Sequence, residues 1–141
     1  MSNSKLSTAQ RKRLYQALGN VPFAKLLGIK LKSVDAGTAT VGIKITNKMK
    51  QNNAVVHGGA IASLIDTAAA LAVMSTLSAN ETTTTVDLTI SYLNPLSQGT
   101  VAATAKIIKS GRRLAVASAE VNDDAGKTIA TALTTYIKNQ R

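Results

Sequence analysis

Apolar residues recur at two spacings along this chain, and the first spacing is helical. Ser7 can cap a helix that runs to about Leu18, because Leu14 and Leu18 lie one turn apart on the same face. A second helical turn over the letters FAKLLG stops at Gly28. Residues 1–27 are therefore predicted to form an N-terminal helical segment.

From Ile29 onward the apolar period changes to two, which is the pattern of strands with one covered face. The alternation predicts a hairpin over residues 29–45, with its turn at Asp35-Ala36-Gly37. In the second half of the chain the same period, broken by turn residues, predicts four further strands: residues 86–92, 100–109, 114–121 and 128–138.

A long stretch of mostly apolar residues, 60–79, separates the hairpin from the later strands and contains a single acid, Asp66. A charge near the middle of a bilayer is costly, so this stretch is predicted to be a core helix covered on nearly all sides. The order of elements predicts an α+β fold in which one curved antiparallel sheet of about six strands wraps one long central helix. With 141 residues, the chain is expected to form a single domain, 1–141.

Composition narrows the possible chemistry. The chain has no cysteine and one histidine, which excludes disulfides, a thiol nucleophile and a histidine-cluster metal site. The net charge of +10 fits a polyanionic partner, although charge that serves only solubility remains an open alternative. Nucleic acid is not favoured, because the chain has only four aromatic residues and no nucleic-acid-binding motif.

The N-terminus lacks the apolar core of a secretory signal. Residues 1–34 contain basic and hydroxyl side chains and no acid, so the composition leaves an organelle transit segment open. A cytoplasmic protein with no membrane partner is expected.

The candidate chemistry lies at the start of the long helix, where His57 is followed by Gly58 and Gly59. Unpaired N–H groups at a helix start are oriented donors for a carbonyl oxygen that gains negative charge. His57 and Asp66 would lie about 13 Å apart along one helix and on opposite faces. One carbonyl cannot contact both, so we expect an obligate homodimer with two composite sites.

The run HGGAIASLIDTAAALA carries a resemblance that extends over roughly residues 27–137. Together with TVDLTISYLNPLSQG, KSGRRLAVASAEV and DDAGKTIATALTTY, it resembles the acyl-CoA thioesterases of the phenylacetic acid degradation type, close to the 4-hydroxybenzoyl-CoA thioesterase group. The resemblance implies the hotdog fold and hydrolysis of an acyl-CoA thioester to free acid and coenzyme A. No separate cofactor is implied, since coenzyme A is part of the substrate.

The resemblance also implies roles for five residues. Asp66 matches the acid that acts as general base or nucleophile, and the Gly58 N–H matches the group that polarises the thioester oxygen. Gln51 matches an amide that binds the attacking water or the thioester, and His57 orients its loop. Thr85 matches a hydroxyl residue on the strand after the helix, although its threonine run also suits a plain strand.

Residues outside these five also have expected positions or roles. Lys109, Arg112 and Arg113 sit at a predicted turn and are candidates to bind the phosphates of coenzyme A, although a solvated turn would look the same. Where relatives often have glycine, this chain has Ala54. Tyr92 and Tyr136 are expected to be core or interface residues.

The sequence leaves two alternatives to a thioester hydrolase. A non-catalytic acyl-CoA-binding or sensing module on the same fold is the main alternative to an enzyme. A hydratase or dehydratase is disfavoured because the single histidine, His57, precedes the helix and the acid lies inside it. The acyl group and the choice between dimer and tetramer are open.

Overall fold

In a computed structural model, which describes residues 5–141, the chain folds into one antiparallel sheet that packs on one long helix. The helices are α1 (Thr8–Gly19), α2 (Pro22–Leu27) and α3 (Gly58–Met74), with a short 3-10 helix, Asn47–Met49, before α3. The strands are β1 (Lys30–Asp35), β2 (Thr38–Lys44), β3 (Glu81–Tyr92), β4 (Thr100–Ser110), β5 (Leu114–Asp123) and β6 (Thr128–Gln140). The predicted α+β hotdog arrangement is confirmed.

The strands lie in the order β1-β2-β4-β5-β6-β3. Strand β3 is therefore at an edge of the sheet, and its pairing within the described chain is with β6 alone. It begins at Glu81, earlier than the alternation from Val86 predicted, because Thr82, Thr83 and Thr84 continue the ladder with β6. Twelve residues make β3 a long edge strand.

The core lies between α3 and the concave face of the sheet. Helix α3 contributes Leu64, Ile65 and Ala68, all fully buried. The facing positions of the central strands are mostly small side chains, which let the helix approach closely: Ala103, Ala105, Ala115, Ala117 and Ala119. The alanine-rich composition of the chain thus reflects a close helix-to-sheet contact.

One side of α3 remains accessible. A stripe of small and polar residues runs along it at helical spacing, consisting of Gly59, Ser63, Asp66, Thr67, Ala70 and Met74. The expectation that the helix is covered on nearly all sides is therefore too broad. The sheet of one chain covers the sides of α3 that face away from this stripe and leaves the stripe accessible. Asp66 lies on the open stripe and is half-buried.

Helix α1 is fixed at its start and along its side. Ser7 caps it in a reciprocal arrangement with Gln10, as the sequence predicted for the cap. Arg11 forms an ion pair with Asp35 at 3.2 Å and donates to the Val34 carbonyl. Among residues 5–141, no helix is long and apolar enough to cross a membrane.

Candidate active site

The backbone N–H groups in the first turn of α3 differ in their hydrogen-bond partners. His57 is the N-cap, and its Nδ1 accepts a hydrogen bond from the Gly59 N–H at 2.8 Å. The His57 carbonyl accepts from the Ala60 N–H at 2.9 Å. Within residues 5–141, no group accepts from the Gly58 N–H. This N–H is the oriented donor that the sequence predicted at the helix start.

The loop before α3 is held by backbone hydrogen bonds. The Gln51 N–H donates to the Val55 carbonyl at 2.8 Å, and the His57 N–H donates to the Met49 carbonyl at 2.7 Å. Ala54 adopts a φ of 65°, in the left-handed region that favours glycine. This conformation explains physically why glycine suits the position.

Gln51 and Gly58 line the same cleft, of about 280 Å³, beside α3. Its other walls come from the end of β3, from the segment after it, where Pro95 and Leu96 lie, and from Ile129 of β6. The Gln51 side chain is exposed at this cleft. The structure therefore brings Gln51, His57 and Gly58 together at one end of the helix.

Asp66 has one carboxylate oxygen held and one free. Its Oδ1 accepts from the Thr85 hydroxyl at 2.8 Å and from the Tyr136 hydroxyl at 2.6 Å. Within the described chain, Oδ2 accepts no hydrogen bond, and no unpaired polar side-chain atom is fully buried. Oδ2 is thus directed to the accessible side of α3 in a fixed orientation.

Tyr136 contacts Asp66, although the sequence assigned no catalytic or binding role to this tyrosine. It is 1% exposed, as expected for a core residue, yet its hydroxyl reaches both the carboxylate and the main-chain carbonyl of Asp66. Burial, followed by the adjacent Asp66 carboxylate, raises the pKa of this hydroxyl, so it stays a neutral donor. The hydroxyl of a tyrosine at an inward-facing strand position was the available sequence signal for this role. The group that such a hydroxyl binds, however, depends on tertiary packing.

Thr85 lies beside Asp66 because of an irregularity in β3. Thr85 pairs with Tyr136, and the register shifts between Thr85 and Asp87. The shift is a β-bulge, a feature that redirects side chains. Both hydroxyls that hold Asp66 therefore come from one cross-strand pair.

The two groups of site residues are separated along α3. Gly58 and Asp66 are eight residues apart on a continuous helix, which corresponds to about 12 Å at ~1.5 Å per residue. Tyr92, beside Gly58, pairs with Ala130, whereas Thr85, beside Asp66, pairs with Tyr136. The sheet therefore places the two groups toward opposite ends of β3 and β6.

The candidate phosphate-binding residues lie at the β4–β5 turn. Lys109, Arg112 and Arg113 are exposed there. Lys138 holds this turn through its Nζ, which donates to the Ser110 hydroxyl and the Gly111 carbonyl, both at 2.7 Å. Since Lys138 pairs with Thr83, the turn lies at the Asp66 end of the sheet.

A larger cavity, of about 450 Å³, lies between α1, the end of α3 and the start of β3. Its apolar wall includes Leu14, Ala17 and Met74, and its rim includes Arg13 and Arg141. Met74 belongs to the same open stripe of α3 as Asp66. Among residues 5–141 there is no group of three or more acidic or histidine side chains placed to hold a metal ion.

Comparison with known proteins gives consistent matches to one family. The family model described as Thioesterase superfamily matches residues 53–130. Medium/long-chain acyl-CoA thioesterase YigI of Escherichia coli (strain K12) is 32% identical over 133 residues, covering 84% of this chain and 86% of the relative. Acyl-coenzyme A thioesterase PaaI of the same organism is 37% identical over 109 residues, covering 76% and 75%.

Solved structures agree with the sequence relatives. The structure of the Escherichia coli PaaI protein from the phenylacetic acid degradation operon matches with a TM-score of 0.86 at 29% identity, covering 94% of this chain and 95% of that one. Thioesterase HI1161 from Haemophilus influenzae matches with a TM-score of 0.86 at 22% identity, covering 98% and 94%. At 22% identity, the match to HI1161 shows similarity of fold alone.

Proposed function

The chain belongs to the thioesterase superfamily, and we propose that this acyl-CoA thioesterase activates water with Asp66 and stabilises the developing oxyanion with the Gly58 N–H. The observation that carries the proposal is the Asp66 carboxylate, with Oδ1 held by two hydroxyls and Oδ2 free on the open stripe of α3. Family membership favours an enzyme over a non-catalytic acyl-CoA-binding module. It also favours thioester hydrolysis over hydration of a double bond.

In the proposed reaction, Asp66 acts as a general base on water. Asp66 Oδ2 takes a proton from water as the water oxygen attacks the thioester carbonyl carbon. Negative charge on the carbonyl oxygen is met by the Gly58 N–H, with the N-terminal end of the helix dipole behind it. The carbon–sulfur bond then breaks, and the leaving coenzyme A thiolate takes the proton from Asp66, which restores the carboxylate. The products are the free acid and coenzyme A.

The remaining residues have supporting roles in this proposal. Thr85 and Tyr136 hold the carboxylate in one orientation, so little reorganisation is needed at the moment of attack. Gln51, exposed at the cleft beside Gly58, binds the attacking water or the thioester. His57 holds the helix start by accepting from the Gly59 N–H.

A homodimer would complete each site. The separation of about 12 Å between Gly58 and Asp66 is too long for one carbonyl to contact both within one chain. Two copies of α3, antiparallel along their open stripes, would bring Gly58 of one chain to Asp66 of the other. The unpaired edge of β3, which carries no lysine, arginine or proline to block pairing, supports the same arrangement.

The phosphates of coenzyme A are assigned to Lys109, Arg112 and Arg113. Their turn lies at the Asp66 end of the sheet, so in the composite dimer it flanks a complete site. Replacing all three by alanine is expected to raise KM for acyl-CoA and weaken its salt dependence, with kcat little changed. An unchanged KM would remove this assignment.

The role of Asp66 is tested by thiol release over a panel of acyl-CoA esters. Asp66→Asn and Asp66→Ala are each expected to lower kcat by about 10³-fold or more, because both remove the base. Full activity in either variant would contradict the proposal. Binding of acyl-CoA by the wild type without turnover of any ester would favour the sensing module.

The two possible roles of the Asp66 carboxylate, general base and nucleophile, differ in the fate of the oxygen atom that comes from water. In a single turnover in ¹⁸O-labelled water, general-base attack puts the label into the acid product and none into the protein. A carboxylate that attacked the thioester itself would form a mixed anhydride with the acyl group, and Asp66 becomes labelled where water opens that anhydride at the Asp66 carbonyl carbon. Label found by mass spectrometry in the peptide containing Asp66 would therefore identify a nucleophile.

Gly58 offers a matched pair of variants. Gly58→Pro removes the N–H at the first helical position, where proline is accepted, and His57 already has the extended backbone that precedes a proline. Gly58→Ala keeps the N–H. A Cβ at this position lies 3.2 Å from the Tyr92 ring in either variant, so the contact is shared. We expect kcat of the proline variant to be about 10²-fold below that of the alanine variant.

A further inference from the structure

The peptide group between Gly58 and Gly59 is held at both of its polar atoms. Its N–H, on Gly59, donates to His57 Nδ1 at 2.8 Å. Its carbonyl, on Gly58, accepts from the Tyr92 hydroxyl at 2.8 Å. A peptide unit bonded at both ends by side chains has little freedom to rotate, so the backbone on either side of Gly58 is fixed.

The neighbouring peptide group, between His57 and Gly58, is held at one end only. Its carbonyl accepts from the Ala60 N–H at 2.9 Å, while its N–H is the free donor of Gly58. The direction of that N–H depends on the backbone angles at Gly58, which join the two peptide planes. Glycine has broad freedom in these angles, and holding the following plane restricts them.

The Tyr92 ring also packs directly on Gly58. A Cβ built on Gly58 would lie 3.2 Å from the ring and from the hydroxyl oxygen of Tyr92. Tyr92 is otherwise 54% exposed at the end of β3, so the core does not account for its position. Its ring and hydroxyl both contact Gly58, whose N–H has no acceptor among residues 5–141.

We propose that Tyr92 is a positioning residue for thioester hydrolysis: through its hydroxyl on the Gly58 carbonyl, it orients the Gly58 N–H toward the thioester oxygen. This inference rests on the proposed role of Gly58. Tyr92 reaches the helix start from 34 residues away in sequence, on the edge strand. Together with His57, it fixes the peptide plane that glycine alone would leave free.

Tyr92→Phe tests the inference, since it keeps the ring and removes only the hydroxyl. We expect kcat to fall about tenfold while KM changes less than twofold, because the oriented N–H stabilises the transition state more than bound substrate. The loss is expected to be smaller than that from removing the N–H itself, as in Gly58→Pro. The thermal midpoint is expected to stay within experimental error of the wild type.

Tyr15→Phe is the matched control. The Tyr15 hydroxyl also donates to a backbone carbonyl, that of Lys32 at 3.3 Å, and Tyr15 is 45% exposed on α1. It lies away from Gly58 and Asp66, so this variant is expected to keep the wild-type kcat and KM. An equal fall in kcat in both variants would show a general loss of order and overturn the inference.

Two unreactive ligands distinguish a positioning role of Tyr92 from a purely structural one. A coenzyme A ketone, with a methylene between sulfur and carbonyl, keeps the carbonyl oxygen, whereas the S-alkyl thioether of coenzyme A lacks it. Tyr92→Phe is expected to weaken binding of the ketone by less than twofold, in line with the small change in KM, and to leave binding of the thioether unchanged. The infrared carbonyl stretch of the bound ketone should also move to higher frequency, since its oxygen is less polarised.

The outcomes are distinguishable from failure of the proposed function. If Asp66→Asn is inactive while Tyr92→Phe keeps the wild-type kcat, the positioning role is wrong and the proposed chemistry stands. If both ligands are weakened equally and the thermal midpoint falls, Tyr92 is structural and the inference is overturned. Full activity in Asp66→Asn would instead remove the function on which the inference rests.

Discussion

At the scale of single residues, the Asp66 site depends on hydroxyls from two strands. Thr85 and Tyr136 both donate to Oδ1, and they face each other as a cross-strand pair of β3 and β6. A carboxylate held at one oxygen presents the other in a defined direction. Removing either donor should therefore affect rate more than substrate binding.

Tyr136→Phe is expected to lower kcat about tenfold and to reduce the free energy of unfolding by about 1 kcal/mol, because a buried hydrogen bond is lost. Thr85→Val, which keeps the side-chain shape, should lower kcat as well, and the double variant should be slower than either. Steady-state kinetics and urea denaturation measure both effects. A wild-type kcat in Tyr136→Phe would show that the held orientation is unimportant.

Ala54 carries a local conformational cost. A left-handed conformation costs a non-glycine residue about 1–2 kcal/mol, while glycine loses about 0.4–1 kcal/mol more in chain entropy on folding. Ala54→Gly is therefore expected to raise the free energy of unfolding by about 0.5–1 kcal/mol with kcat unchanged.

Ala36→Gly is the control for that change, because Ala36 is also exposed in a turn but has no positive φ. It should lower stability slightly. Equal effects of the two substitutions in urea denaturation would contradict the conformational explanation.

At the scale of elements, α1 is attached to β1 through one carboxylate. Asp35 Oδ1 accepts from the Leu6 N–H at 3.2 Å, from the Ala36 N–H at 3.0 Å and from the Arg11 guanidinium at 3.2 Å. The backbone hydrogen bond from Leu6 is the main cause that lowers the pKa of this carboxyl, followed by that from Ala36. The charged form of Asp35 is therefore favoured in the folded chain.

This lowered pKa gives a pH-dependent prediction. A carboxyl with a lower pKa in the folded state contributes stability above its unfolded pKa, and the contribution is lost as pH falls through the folded pKa. Asp35→Asn should therefore be less stable than the wild type near neutral pH, and the difference should shrink as pH falls below the unfolded pKa of about 3.9. Urea midpoints across this range measure it, and a constant difference would contradict the assignment.

The edge strand β3 contacts both groups of candidate site residues on α3. Its bulge brings Thr85 to Asp66, and its last residue, Tyr92, reaches Gly58. One strand thus contacts α3 near Gly58 and near Asp66, the two candidate site positions.

At the scale of the whole molecule, the proposed composite dimer predicts complementation between two inactive variants. In a mixed dimer of Asp66→Asn and Gly58→Pro, one site contains both substitutions and the other contains neither. Random mixing makes half of the dimers mixed, so activity should recover to about a quarter of the wild-type value.

The experiment requires exchange of subunits, for example by refolding the two variants together, with gel filtration to measure the oligomeric state. Refolding each variant alone should restore no activity. If Gly58 and Asp66 of one chain served the same substrate, the mixture would remain inactive. A monomeric protein with full activity would also contradict the composite site.

The sequence by itself determined the element types, most of their order and the residues at the start of α3. Hydrophobic period, glycine and proline positions and the Ser7 cap are local signals, because each depends on the backbone preferences of a few neighbouring residues. The same reasoning singled out Asp66, since a lone acid in an apolar helix has no local explanation. The boundaries of β3 and the open stripe of α3 were not predictable in this way.

Only the tertiary structure decided the partners of the candidate residues. Tyr136 reaches Asp66 across 70 residues of sequence, and Tyr92 reaches Gly58 across 34. These contacts depend on strand register and on the bulge after Thr85, and a shift of one residue would turn each side chain to the other face of the sheet. Local patterns contain the residue types of a site, but the pairing of distant strands determines which of them meet.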